Sequence, residues 1–81
     1  MNSEIRLHDI VALLDEVPTH DFDTGAPLTL RRGQIGTVVM TYDGSAFEVE
    51  FSDAQGRAFA MLPIPAGKLI VLHDAPATVA A

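Results

Sequence analysis

Three histidines, His8, His20 and His73, are the side chains best suited to proton transfer or metal ligation. None stands four residues from another and none forms an H-x-H pair, so their spacing makes no metal motif. His20-Asp21-Phe22-Asp23 does gather an imidazole and two carboxylates within four residues. A calcium loop needs further oxygens and a closing glutamate, which this segment lacks, so a solvated acidic loop is the simpler reading. Ser3, Ser45 and Ser52 lie in the tail or in turns, with no histidine–acid pair beside them to activate a nucleophile. The chain has no cysteine, hence no disulfide framework and no thiolate zinc site. It also has no phosphate-cradling glycine loop of the Walker or Rossmann kind. The expectation is therefore a non-enzyme, with no catalytic residue, no metal ligand and no cofactor. Binding surfaces remain. His20, Asp21, Phe22 and Asp23 in one loop, and Glu48 and Glu50 on one strand face, are the candidate partner-binding residues. Phe22, Tyr42 and Met61 are the candidate lining of a pocket between the 15–33 loop and the strand starting at Ala46, since aromatic and methionine side chains suit adaptable pockets. The plainer alternative makes them core.

Charge narrows the partners. Eleven acidic residues against five basic ones give a net charge of -6, unevenly spread. Residues 1–55 sum to -7 and residues 56–81 to +1. Such a chain repels a phosphate backbone, so nucleic acid is an unlikely partner and a basic protein a better one. No apolar run approaches the ~20 residues that span a bilayer, and the N-terminus has no basic region followed by an apolar stretch. A cytoplasmic protein without membrane association is expected.

The elements that must carry these residues are organised around Arg31-Arg32-Gly33-Gln34-Ile35-Gly36-Thr37-Val38-Val39-Met40. Gly33 can take positive φ in a turn, and the β-branched run after it fits a pleated surface. Gly36 lacks a side chain where another strand or a bulge needs room. A strand is predicted over 34–42. Asp43-Gly44 is a hairpin signal. In Ala46–Ser52, Phe47, Val49 and Phe51 alternate with Glu48 and Glu50, which predicts a strand with one buried and one wet face. Asp53–Arg57 reads as a second hairpin loop, followed by a strand over 58–62. Pro63-Ile64-Pro65-Ala66-Gly67-Lys68 reads as a 3₁₀-like turn before a last strand over 69–72. Upstream, Leu7, Ile10, Val11 and Leu14 match a helical spacing, but the run is short and Ile10-Val11 favour a strand, placed at 9–14. Residues 15–33 read as one long connection, with Pro18 breaking the strand. Phe22, Leu28 and Leu30 either fold it back over the barrel mouth or cap the core.

The expected architecture is all-β: a small five-stranded SH3-like barrel with a long first loop and a 3₁₀ turn before the last strand. Residues 1–6 form a flexible lead-in, 7–73 the single domain and 74–81 a disordered tail. The expected core is Val11, Leu13, Ile35, Val38, Phe47, Val49, Phe51, Phe59, Leu62, Leu69 and Val71.

Leu7-His8-Asp9-Ile10-Val11-Ala12-Leu13, Arg32-Gly33-Gln34-Ile35-Gly36-Thr37-Val38-Val39 and Phe47-Glu48-Val49-Glu50-Phe51 occur here in a fixed order. In that order they resemble a family of small uncharacterised bacterial proteins with an SH3-like barrel and the pattern LxDVVAL…RGxxGTVV…(Y/F)EVEF. The loop at 18–28 is longer here than in the shortest members. The resemblance supplies no activity. Its setting, small stand-alone bacterial genes, implies a partner-binding module of antitoxin or immunity type. Two other roles compete with it: a small-molecule-binding or accessory subunit of an enzyme complex, and a nucleic-acid-associated barrel. The last follows from the likeness of Gly33–Val39 to a motif of ribosomal and transcription-elongation proteins. A more distant likeness joins the same stretch to the barrel of nitrile hydratase small subunits.

Overall fold

Gly36 sits where a side chain would not fit. In the computed structural model, which describes residues 4–80, a Cβ built on Gly36 would lie 2.6 Å from Val49 Cγ1 and 2.9 Å from the Phe51 ring. The strand carrying it, β4 (Ile35–Tyr42), therefore presses directly onto β5 (Ala46–Ser52). The other strands are β1 (Ile10–Leu13), β2 (Val17–His20), β3 (Pro27–Leu30), β6 (Ala58–Pro65) and β7 (Leu69–Val71). They form an antiparallel five-stranded sheet of order β6-β5-β4-β1-β7 and a separate hairpin, β2-β3. Among the described residues there is no α-helix, only the 3₁₀ turn Ala66–Lys68 before β7.

The turns follow from their residues. Gly33 has φ +87°, and its N–H donates to the Leu13 carbonyl at 2.7 Å, tying the Arg31-Arg32-Gly33 turn to the end of β1. Asp43 and Gly44 both take positive φ, 45° and 82°, which is the signature of the turn that matches strand twist in a tight hairpin. In the 53–57 loop the Asp53 carboxylate accepts from the N–H groups of Gln55 and Arg57, each at 2.9 Å.

Several expectations need correction. Among the described residues there are seven strands rather than five, and the sheets do not close into a barrel. The 15–33 segment is not one structureless connection. It holds the β2-β3 hairpin, paired Val17↔Leu30 through His20↔Pro27. Pro18 does not end a strand there, because both strands of a two-stranded hairpin are edges, where a missing N–H costs no ladder bond. β6 likewise runs through Pro63 and Pro65, and the 3₁₀ turn is confined to the three residues after them. Ala66 N–H donates to the Ser45 carbonyl, so even-numbered residues face β5 and the two prolines face the open side of this edge strand. β1 and β7 are shorter by a residue or two than the spans 9–14 and 69–72.

The core lies between the inner face of the sheet and the β2-β3 hairpin. Val11, Leu13, Val38, Phe47, Val49, Phe51 and Leu69 are buried as expected. Leu30, Ala60 and Ile64 join them. Ile35 does not: Gly36 and Val38 take the inward positions of β4, and alternation turns Ile35 outward, 56% exposed. Phe59, Leu62 and Val71 are only partly buried, packed against the cluster. Phe59 is displaced by a bulge, since Phe51 pairs with Ala60 while Ser52 pairs with Ala58. A second bulge isolates Val39 between Val38↔Val49 and Met40↔Glu48. Met1, Asn2 and Ser3 of the expected lead-in, and Ala81 of the expected tail, lie outside the described residues. Ile5 packs against the core, and 74–80 carry no regular secondary structure.

Candidate functional site

Two places on the surface bring chemically distinctive residues together. The first is the tip of the β2-β3 hairpin. The Asp21 carboxylate accepts from the backbone N–H groups of Asp23 and Thr24, each at 2.9 Å, and Gly25 completes the loop at φ +74°. Those two hydrogen bonds, aided by the Arg57 charge, hold the Asp21 carboxyl below the usual carboxylate range. Arg57 Nη2 donates to Asp23 Oδ2 at 2.7 Å and stands 4.0 Å from Asp21. Phe22 N–H donates to the Phe59 carbonyl at 2.7 Å. The two loops are thus clasped across the sheet edge, with the Phe22 ring left exposed. His20 stands apart, beside a shallow groove of about 470 Å³ between the hairpin strands, lined also by Pro18, Thr19, Pro27, Leu28 and Thr29. Among the described residues no three His, Asp or Glu side chains are grouped to hold a metal ion.

The second place is the outer face of the five-stranded sheet. Val11 and Leu13 point into the core, so Ile10, Ala12 and Leu14 point away from it. Ala12 pairs with Ile35 on one side and Ile70 on the other. Leu72 extends the register opposite Ile10, to whose carbonyl its N–H donates at 2.9 Å. The result is a shallow socket. Ala12 is only 7% exposed yet belongs to no core cluster, while the four aliphatic side chains around it stand free: Ile10 46%, Leu14 41%, Ile35 56% and Ile70 50%. An apolar patch with polar residues beside it is a candidate interaction surface.

Glu48 and Glu50 lie on the same outer face, half-buried. Glu50 sits between Thr37 and Met61, and Glu48 between Met40 and Pro63. Tyr42 donates its hydroxyl to Glu48 Oε1 at 2.8 Å, and that hydrogen bond, with partial burial and the Glu48 charge, raises the phenol's pKa. Among the described residues neither glutamate has an ion-pair partner; the ion pairs there belong to Arg57. The residues of the expected pocket, Phe22, Tyr42 and Met61, lie on three different elements, with Met61 two residues along β6 from the Phe59 carbonyl that Phe22 meets. Phe22 is on the hairpin tip beside Phe59, Met61 is mid-strand opposite Glu50, and Tyr42 is at the far end of β4 opposite Ala46. A wide open groove of about 1310 Å³ lies among Ile5, Arg6, Asp9, Asp43, Ile70 and Val71, so Ile70 borders both it and the apolar face.

Sequence reasoning overlooked Ile10, Ala12, Leu14, Ile35, Ile70 and Leu72 as a surface, and Arg57 as the clasp. The signal for the first was available. Ile10–Leu14 and Leu69–Leu72 are unbroken apolar runs, which is how strands apolar on both faces read.

The architecture defines the class: an all-β domain, an open antiparallel sheet with one packed and one partly apolar outer face. The chain belongs to the family described as Domain of unknown function (DUF4926), whose model matches residues 7–71. No curated protein and no solved structure matches it. No helix among the described residues is long and apolar enough to cross a membrane.

Proposed function

We propose that this chain is a non-enzymatic protein-interaction module of the bacterial cytoplasm, of antitoxin or immunity type. The observation that carries the reading is the outer sheet face, where Ile10, Leu14, Ile35 and Ile70 stand exposed around Ala12. Covering such aliphatic surface releases ordered water at roughly 25 cal/mol per Å², a gain that a protein partner collects and solvent does not. The central β4 and the 3₁₀ turn before the last strand support an SH3-like ancestry for the sheet. Because SH3-like folds host many functions, the reading rests on the face and not on the fold. Nucleic acid remains disfavoured by the net charge of -6.

The test is affinity capture from the source cell's lysate with the wild-type chain and with the Ile35→Lys/Ile70→Lys double variant as baits. Both replaced side chains are exposed, so the variant is expected to melt close to wild type. Proteins retained by the wild type and lost by the variant are the expected result. No reproducible retention, or the same set on both baits, overturns the proposal.

A further inference from the structure

We infer that the socket over Ala12 and the glutamates beside it receive a cationic amphipathic helix of a partner protein, with an aliphatic side chain seated over Ala12 and lysines or arginines reaching Glu50 and Glu48. The inference rests on the interaction-module reading and adds the partner's chemistry. Its geometry begins with Ala12, which contributes only a methyl group at the centre of a ring formed by Ile10 and Leu14 along the strand and Ile35 and Ile70 across it. Those four side chains already cover Ala12, so one large apolar side chain packs on their exposed groups and excludes water from them, as energetically dominant contacts do.

Charge identifies what surrounds that side chain. Along the cross-strand row from Ile10 come Thr37 and then Glu50, about two strand spacings or roughly 10 Å away. Glu48 follows one outward position further along β5. These carboxylates are half-buried, lack ion-pair partners among the described residues, and border the apolar surface on one side. A cationic flank on the incoming segment supplies the opposite charge they lack, while Glu48 keeps the hydrogen bond from the Tyr42 hydroxyl at 2.8 Å. A second copy of the chain does not, because it brings the same two glutamates and a further net charge of -6.

The form of the segment follows from the edges. A strand adding to the sheet would need a free ladder of N–H and C=O groups. β6 turns Pro63 and Pro65 toward its open side and is met there by Phe22, while β7 offers three residues. The face, in contrast, leaves Ile10, Ile35 and Ile70 about half exposed among the described residues. On a helix, residues four apart rise by about 6 Å, close to the roughly 6.7 Å between Ile10, Ala12 and Leu14 along β1, so successive apolar residues of one helix stripe match the outer positions of one strand.

The test uses the full chain and synthetic helical peptides with a leucine stripe, flanked by lysines in one and by glutamates in the other, titrated and followed by amide NMR shifts. The lysine-flanked peptide is expected to bind at least about tenfold more tightly, and to shift Ile10, Ala12, Ile35 and Ile70 most. Glu48→Lys/Glu50→Lys is expected to reverse the preference between the peptides. Ala12→Leu fills the socket and is expected to weaken binding about tenfold, with Ile70→Asn as the independent variant that opens the ring instead. Equal affinity for the two peptides, shifts centred elsewhere, or undiminished binding to both socket variants overturns the inference. A dimer in sedimentation that Ile35→Lys dissociates overturns it in favour of a second copy. If capture from lysate depends on the face but the peptide preferences fail, the partner's chemistry is wrong and the module reading stands. If capture fails as well, both fall.

Discussion

Val49 and Glu50 are neighbours in sequence and opposites in environment. Val49 is fully buried between Phe47 and Phe51, and Glu50 lies on the outer face. Val49→Asp places an unpaired carboxylate among apolar side chains, at a cost on the order of 3–5 kcal/mol, comparable with the whole stability of so small a domain. Glu50→Ala removes a surface carboxylate and is expected to change stability by less than about 0.5 kcal/mol. The first variant is expected to be unfolded or insoluble and the second to melt like the parent; equal melting temperatures would refute the register. Gly36→Ala is the complementary case. Its Cβ collides with Val49 and Phe51, and overpacking of that kind costs about 1–3 kcal/mol, readable as a lower urea midpoint. Both positions were legible in the sequence, one from strict alternation and the other from a glycine inside a β-branched run. Ile35 was not, because the glycine beside it occupies the inward place and so hides which of its neighbours faces out.

At the scale of elements, the β2-β3 hairpin was the least legible. Its residues read as breakers, and they are, but only for strands flanked on both sides. The signal that could have found it is Thr19 and His20 facing Pro27 and Leu28 across a six-residue loop of turn-formers, Asp21 to Ala26. The hairpin's tip is held by charge, which makes it pH-dependent in a definite direction. Asp21 has a lowered pKa in the folded chain, so its contribution to stability is complete above the unfolded value near 3.9 and is lost as pH falls through the folded one. The melting-temperature gap between wild type and Asp21→Asn is therefore expected to be open at neutral pH and to close on acidification below about pH 4. A gap that persists unchanged at pH 2 would show that the carboxylate's charge is irrelevant. Arg57→Ala releases Asp23 and Asp21 together. Faster hydrogen exchange at the Phe22 amide, with little change at Val38 or Val49, is its expected signature.

At the scale of the molecule, the sequence announced an all-β domain but not how much of its sheet would stay open. Closure depends on whether β6 and β7 meet, and that is decided by tertiary packing that no local pattern records. An open sheet has two ends. One is β7, three residues long; the other is β6, eight residues long with prolines at 63 and 65 turned outward. Those prolines matter most when the chain is crowded, during synthesis or in concentrated storage, when bare strand edges of neighbouring copies find one another and grow into fibrils. Pro63→Val/Pro65→Thr restores two amide donors to the long edge without touching the buried Ile64. The doubly substituted chain is expected to fold and to melt near wild type, yet to form thioflavin-positive aggregates within a time over which the parent stays clear. Two backbone nitrogens with no hydrogen to donate thus guard the protein's shelf life.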